Sequence, residues 1–498
     1  MSADEPGLGK KVAQGVAWAG GAQAIIAVAD LISFLLVTVY WVSTNDLGIV
    51  GAVIPFYTAL DYIADLGVSN ALIQHDDHTP ERVSTVFWFN LLISIGLFVL
   101  LLGIGPLYAW FQSTPVIAWL MIAYGAKLLI QNLYAIPFAL LRKELRFADV
   151  AKARVVAHLS ESVGRVIFAY LGASYWSFTL AAITRAFVFG VIIQLRHPFL
   201  PRFVFRPREV VAYVKFGART AASNVLYQVY TSLDAPIVYH YFGAEAAGIY
   251  TLADTFILEP VKTIANVVID VAFPTFAKLR ADRRAVASQL IKFTRLNLLA
   301  VLPYTILILL IAPELLNLFW LGHGTKPKWT PANIELCTDA IRLLCVMGFF
   351  RSMGLLGPPL LDGMGRPDLT LRYMIVATFA VPGSFLLGAK LLGPSMGFLS
   401  VALAWAIGYP IAFAVLAYLV MHTVKLPARE YINASWGIIV SCGIAAGVGF
   451  GVDLLLPTAS DTVRLVAIGG SALITMAVLF TYWQKLTPRS IARSLHDD

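Results

Sequence analysis

Residues Thr85–Ala109 read TVFWFNLLISIGLFVLLLGIGPLYA, 25 residues without one charged side chain. As a helix this run rises about 37 Å, more than the roughly 30 Å of hydrocarbon in a bilayer. A strand of a membrane barrel would instead alternate apolar and polar residues over about ten positions. The run is therefore read as a transmembrane helix. Similar runs recur along the chain, near 15–40, 47–68, 85–109, 115–137, 154–172, 175–195, 213–240, 246–269, 296–320, 333–355, 370–392, 395–421, 432–455 and 462–484. The expected fold is an all-α polytopic membrane protein with about fourteen transmembrane helices.

Composition agrees. Of 498 residues, 59% are hydrophobic and 13% charged, and the mean hydropathy is +0.76. Soluble domains carry about 25% charged residues, and a single soluble core could not hide this much apolar surface. Lys10 and Lys11 precede the first run. That run, Gly15–Tyr40, is too long for a signal-peptide core, so we expect it to be retained as a helix. Cys337 and Cys345 lie eight apart, about 12 Å along a helix and beyond disulfide reach. With Cys442 they read as small apolar packing residues. His75-Asp-Asp-His78 could chelate a metal, but reads as a solvated loop. No metal and no cofactor is expected.

The basic residues sort by side. Segments on the side of the N-terminus hold 27 of the 37 Lys and Arg, and the opposite side holds Lys326, Lys328, Lys390 and Arg464. By the positive-inside rule both termini are cytoplasmic. Trp41, Trp110, Trp176 and Trp320 fall at outer helix ends, as an aromatic belt would. Topology thus accounts for the net charge of +8, and clusters such as Arg142-Lys143-Glu144-Leu145-Arg146 need no nucleic-acid partner. The stretch 270–295, with Lys278, Arg280, Arg283, Arg284 and Lys292, reads as an amphipathic helix on the inner surface.

A weak repeat appears at a shift of 200: Asp46-Leu-Gly-Ile-Val50 against Ala246-Ala-Gly-Ile-Tyr250. Six helices repeated in parallel, followed by two more, suit a transporter with its pathway between halves. The expected divisions are 1–205 and 206–425 for two six-helix bundles, and 426–498 for the last two helices and tail. Chance similarity among apolar helices is the competing account.

Ionisable residues inside these helices cost at least about 2.5–3.5 kcal/mol each at mid-bilayer, so most must face an interior or a polar cavity. Glu161 with Arg165, Glu259 with Lys262, and Asp339 with Arg342 are three or four apart and can pair locally. Lys127 and Arg185 have no acid at such spacing. They need a partner from another helix or from a substrate. Arg219 is also locally unpaired but close enough to the inner surface to snorkel. Lys127, Arg165, Arg185, Arg219 and Arg342 are the candidates for a cationic substrate path. Asp30, Asp234 and Asp254 lack a local basic partner and are candidates for ion coupling. Asp61 joins them; it shares a helix face with Asp65, and the two repel unless one is protonated or near water. Pro55, Pro236, Pro260, Pro303, Pro382 and Pro410 mark possible bends, with Pro236 beside Asp234. No GxxxxGK[ST] loop provides an ATP engine, and no large outer loop offers catalytic carboxylates or histidines.

The chain resembles the polysaccharide-transport (Wzx-type) flippases of the multidrug/oligosaccharidyl-lipid/polysaccharide exporter superfamily. The likeness is carried by Ala64-Asp-Leu-Gly-Val-Ser-Asn-Ala-Leu-Ile-Gln74, Phe87-Trp88-Phe-Asn90, Leu141-Arg-Lys-Glu-Leu-Arg-Phe147, Tyr175-Trp-Ser177 and Ala247-Gly-Ile-Tyr-Thr-Leu-Ala253. Ser43-Thr-Asn-Asp46 departs from the family's proline-acid turn. The resemblance implies a non-enzymatic carrier in the bacterial inner membrane. Its substrate would be a polyprenyl (undecaprenyl)-diphosphate-linked oligosaccharide, moved from the cytoplasmic to the periplasmic leaflet by ion-coupled alternating access. It also implies contact with membrane lipids and leaves room for polymerase and chain-length-control proteins as partners. A cation-coupled small-molecule antiporter, a membrane-embedded polymerase and a scaffold of an assembly complex remain the alternatives.

Overall fold

The computed structural model describes residues 8–65, 79–144, 146–206, 222, 225–321 and 329–484. Arg219 and the His75–His78 run lie outside them. The main helices are α1 (Leu8–Tyr40), α2 (Thr44–Asp65), α3 (Pro80–Phe111), α4 (Val116–Lys143), α5 (Phe147–Tyr170), α6 (Trp176–Arg196), α7 (Asp234–Lys278), α8 (Arg283–Trp320), α9 (Pro331–Gly354), α10 (Pro367–Leu391), α11 (Leu399–Val424), α12 (Ala428–Leu455) and α13 (Asp461–Val478). No strand occurs among the described residues. Eleven helices among these residues are long and apolar enough to cross a membrane. Their outward faces carry large apolar side chains such as Leu107, Trp119, Phe379 and Tyr418, all more than 60% exposed. Soluble monomers rarely show such continuous apolar patches. The protein is an all-α, multi-pass membrane protein, as the hydropathy pattern implies.

The chain forms two compact units, residues 1–248 and 249–498. In the first, α5 packs against α1 and α6, and α4 against α3, α6 and α2. The entry to α2 explains the departure at Ser43–Asp46. The Ser43 hydroxyl donates to Asp46 Oδ2 at 2.6 Å, and the Asp46 N–H donates back to Ser43 Oγ at 3.2 Å. This reciprocal cap satisfies helix-end donors where the family uses a proline. The Phe87–Asn90 motif has a structural task too. Phe87 is buried beside Ile136, while Trp88 Nε1 donates to the Arg202 carbonyl at 2.8 Å and its ring stacks on Phe203. Arg206 pairs with Glu81 at 2.7 Å. The connection after α6 is thereby strapped to the start of α3.

The helical path breaks at Leu233, one residue before Asp234, so a bend does stand beside that acid, which is 3% exposed. A second break lies at Gly243, with φ 85°, a conformation that glycine adopts without a Cβ penalty. It divides the 45 residues of α7, about 68 Å of helix and too long for one crossing. Just beyond, Gly248 meets Gly48 of α2. A Cβ on Gly48 would run into the Ala244 carbonyl oxygen and come within 2.9 Å of the Gly248 nitrogen; a Cβ on Gly248 would run into the Thr44 carbonyl oxygen and the Gly48 nitrogen, the latter at 3.0 Å. The two copies of the repeated motif are thus in reciprocal backbone contact.

In the second unit α8 packs against α9, α12 and α13, and α11 against α9 and α10. Leu298 and Leu302 of α8 share a core with Ile438, Cys442, Ala445, Ala472 and Met476. At the other end of α8, Glu314 binds Arg464 at 3.0 Å, and Arg464 also binds Asp453. One arginine therefore clips the end of α12 and the start of α13 to α8. Cys337, Cys345 and Cys442 are all buried and unbridged.

Two expectations need correction. The basic stretch 270–295 is not a separate surface helix: it is the end of α7 and the start of α8, joined by a short turn. Trp320 is 2% exposed, packed edge-on against Phe256 and Trp329. It belongs to the protein core and not to an interfacial belt. Trp110, 78% exposed, keeps the place a belt residue needs.

Replacing Gly48 or Gly248 by Ala is expected to lower stability by about 1–3 kcal/mol, the range for overpacking. Gly96→Ala, where a Cβ meets nothing within 4 Å, is expected to leave the thermal unfolding of purified protein in detergent unchanged. Equal midpoints for all three variants would refute the contact.

Candidate functional site

Helix α5 presents His158, Glu161, Ser162 and Arg165 at the spacing i, i+3, i+4, i+7, which places them on one face. That face meets Asp30 and Ser33 of α1 and Arg185 of α6. Arg185 Nη1 donates to Glu161 Oε2 at 3.0 Å. Arg165 lies 3.7 Å from Glu161 and 3.8 Å from Asp30, and donates to Ser33 Oγ at 3.0 Å. Ser162 Oγ donates to Asp30 Oδ1 at 2.8 Å. His158 Nδ1 stands 3.5 Å from Asp30 and 3.7 Å from Glu161.

A second knot lies on α2 and α4. Lys127, fully buried, donates to Asp61 Oδ2 at 2.7 Å, and the Tyr124 hydroxyl donates to the same oxygen at 2.7 Å. Lys127 also touches the Tyr124 hydroxyl, and the Tyr124 ring stacks on Tyr57 at 3.6 Å between centroids. The two knots are electrostatically joined, since Arg185 acts on both Lys127 and Tyr124. Four of the five helices that build this network are runs of mostly apolar residues able to cross a membrane; α5, which carries Glu161 and Arg165, is not among those eleven.

The charge count is the chemical point. Asp30, Asp61 and Glu161 supply three negative charges; Lys127, Arg165 and Arg185 supply three positive ones. The network is balanced while His158 is neutral. Lys127 and Arg185 are therefore answered by carboxylates of other helices, where the sequence left open a helix partner or a substrate. Both local pairings in the rest of the chain are present: Lys262 with Glu259 at 3.0 Å and Arg342 with Asp339 at 3.6 Å. Asp61 is occupied by Lys127, while the side chain of Asp65 lies outside the described ones.

The structure thus gathers Lys127, Arg165, Arg185, Asp30 and Asp61 into one network. Arg342 is half exposed and belongs to the second unit, Asp254 lies half-buried on α7, and Asp234 is buried at the start of α7. His158 and Tyr124 were missed, although each stands three residues before a flagged charge on the same helix. Arg351 was also missed. It is 1% exposed, its guanidinium 5.8 Å over the Trp405 ring, yet the chain position suggested a surface end. Asp30, His158 and Glu161 offer donor atoms within 4.8 Å of one another, a spacing that a cation could bridge. Two guanidinium groups already serve those carboxylates, so the set reads as an ion-pair network.

Removing one member of a buried ion pair costs about 3–5 kcal/mol, because the other is left uncompensated. Glu161→Gln is expected to destabilise the purified protein by an amount in that range, and adding Arg185→Gln is expected to restore most of it. A double variant no more stable than the single one would show that the pair does not set the balance.

The comparisons with known proteins agree with the fold and extend it. The family described as "Polysaccharide biosynthesis protein" matches residues 41–329. The teichuronic acid biosynthesis protein TuaB of Bacillus subtilis (strain 168) is 25% identical over 459 residues, 90% of either chain. The lipopolysaccharide biosynthesis protein WzxC of Escherichia coli (strain K12) is 24% identical over 86% of this chain and 85% of its own. Among solved structures, the lipid II flippase MurJ in an inward closed conformation superposes with a TM-score of 0.70 at 17% identity, covering 93% of this chain and 97% of that one. An inward-facing MATE family multidrug transporter of the MOP superfamily gives 0.58 at 17% identity, over 82% and 96%. The resemblance seen in the sequence therefore holds: the chain belongs to the polysaccharide biosynthesis protein family and has the fold shared by MurJ and the MATE transporters.

Proposed function

We propose that this protein is a flippase that carries a polyprenyl-diphosphate-linked oligosaccharide from the cytoplasmic to the periplasmic leaflet of a bacterial inner membrane. Both termini then face the cytoplasm, where the basic segments meet anionic headgroups. In this reading 1–205 and 206–425 are the two six-helix bundles and 426–498 holds the last two helices. The observation that carries it is a fold like that of a lipid II flippase over 93% of the chain, in a family of polysaccharide biosynthesis proteins.

The network supplies a means of ion coupling. At rest its three acids and three bases cancel. Protonating one acid, such as Glu161 or Asp30, leaves one positive charge in excess. The released guanidinium then has the planar fork that binds a phosphate in bidentate fashion. Substrate and proton thus favour each other's binding. Losing the proton restores the arginine–carboxylate contact and expels the diphosphate.

In vesicles holding the purified protein and a defined lipid-linked oligosaccharide, Lys127→Ala and Arg185→Ala are expected to slow translocation about tenfold to a hundredfold, matching the loss of one charge-assisted contact. Both variants should remain folded and inserted. Wild-type rates in both would remove these residues from the pathway. Asp30→Asn is expected to weaken the response to an imposed proton gradient, and an unchanged response would assign Asp30 a structural role.

A further inference from the structure

Helices α2, α3 and α4 enclose a cavity of about 180 Å³ in the first unit. It has room for roughly six waters at about 30 Å³ each. Its wall is unusually polar for a membrane interior, with Asp61, Asn90, Gln131, Asn132, Tyr134 and Arg142 among the lining residues. Three of these side chains have a buried atom with no hydrogen-bond partner among the described residues: Asp61 Oδ1, Asn90 Oδ1 and Asn132 Nδ2. Asn90 is 2% exposed and Asn132 4%. An orphaned buried polar atom costs about 1–3 kcal/mol, and these three are shut off from the cavity although their residues line it. The Asp61 side chain as a whole is 29% exposed, so part of it is open to water. The lining also follows one stripe of α4, from Leu128 beside Lys127 to Arg142 in the helix's last turn. That is about 21 Å of helix, enough to lead from the middle of the membrane to its surface on the side of the N-terminus.

We infer that this cavity is a hydrated inlet that brings protons from the aqueous phase on the N-terminal side to the Asp61–Lys127 pair. Asp61 is divided between two tasks. Its Oδ2 accepts from Lys127 and Tyr124, while its side chain, 29% exposed, also lines the cavity. A hydronium ion in the inlet gives its proton to the Asp61 carboxylate, which becomes a carboxylic acid, and a water remains. Lys127 keeps its charge but loses its counter-ion, and the next acid acting on it is Glu161, with Arg185 opposing. Among the described side chains, the other titratable and charged groups around the pair are Tyr124, Tyr57, Tyr134 and Arg142. Protonation at Asp61 therefore shifts the balance of the whole network without any group of the network leaving its helix. The inference names an ion that reaches the network and the side from which it does so, and it rests on the transport reading above for its purpose only.

Its test needs no substrate. Ala135, half-buried in the same wall, is replaced by Cys in the full chain and reconstituted in sealed vesicles of either orientation. Silver ion, a water-sized thiol reagent that does not cross lipid, is added outside, and the thiol left at position 135 is alkylated in denaturant and read by mass spectrometry. Protection is expected when the N-terminal side faces out and not in the opposite orientation. No protection from the N-terminal side would overturn the inlet. In parallel, the wild-type protein is treated from each side with a water-soluble carbodiimide, which adds to protonated carboxyls. Modification of Asp61, as an adduct or as an amide with Lys127, is expected from the N-terminal side only and faster as pH falls; Asp61→Asn gives the blank. Absent or pH-independent modification would overturn the assignment of the proton. A flippase assay that failed while both probes succeeded would overturn the transport reading and leave the inlet standing.

Discussion

A charge inside a membrane must find an opposite charge or water. That constraint organises the first unit of this protein. Six ionised side chains from α1, α2, α4, α5 and α6 meet within the apolar region and cancel. Lys127 and Arg185 could not be balanced within their own helices: Lys127 is fully buried, and its carboxylate comes from a different helix. The helices are therefore bound to one another by electrical necessity as well as by packing. The second unit meets the same constraint more locally, with Arg464 held between Glu314 and Asp453 and Arg351 lying over Trp405.

The balanced count changes how a phosphorylated lipid would be received. A permanently positive chamber would bind an anionic headgroup tightly and release it slowly. A neutral network that becomes positive only when an acid takes up a proton binds on demand. Under the proposed function the same residues serve two states, and the difference between them is one proton at Asp30, Glu161 or Asp61. The inferred inlet beside Asp61 would give that proton a route from one side of the membrane.

Much of this was legible in the sequence, and what was not has a physical reason. Length and apolarity alone mark the helices, because lipid leaves few other structures possible. Lys127 and Arg185 stand out because spacing along a helix reveals a missing local partner. Spacing cannot reveal a partner on another helix, so Asp61 and Glu161 were noticed but not matched to them. His158 and Tyr124 looked ordinary until α1 and α2 came to face them. Trp320 and Arg351 sit near helix ends, where the chain suggests a surface; the packing of Phe256, Trp329 and Trp405 encloses them instead. The basic run around Arg283 has the composition of an interfacial helix, and only the continuous path into α8 shows otherwise.

The crossing of Gly48 and Gly248 carries a consequence for how this fold can drift. Most tight contacts in a protein can be repaired: one side chain grows and its neighbour shrinks. Here each position is already at the minimum size and touches main chain, which no mutation can trim. A change at one glycine leaves nothing opposite to give way. Relatives that keep this crossing are thus expected to show two independently frozen positions in place of a compensating pair, whatever happens to the length of chain between them.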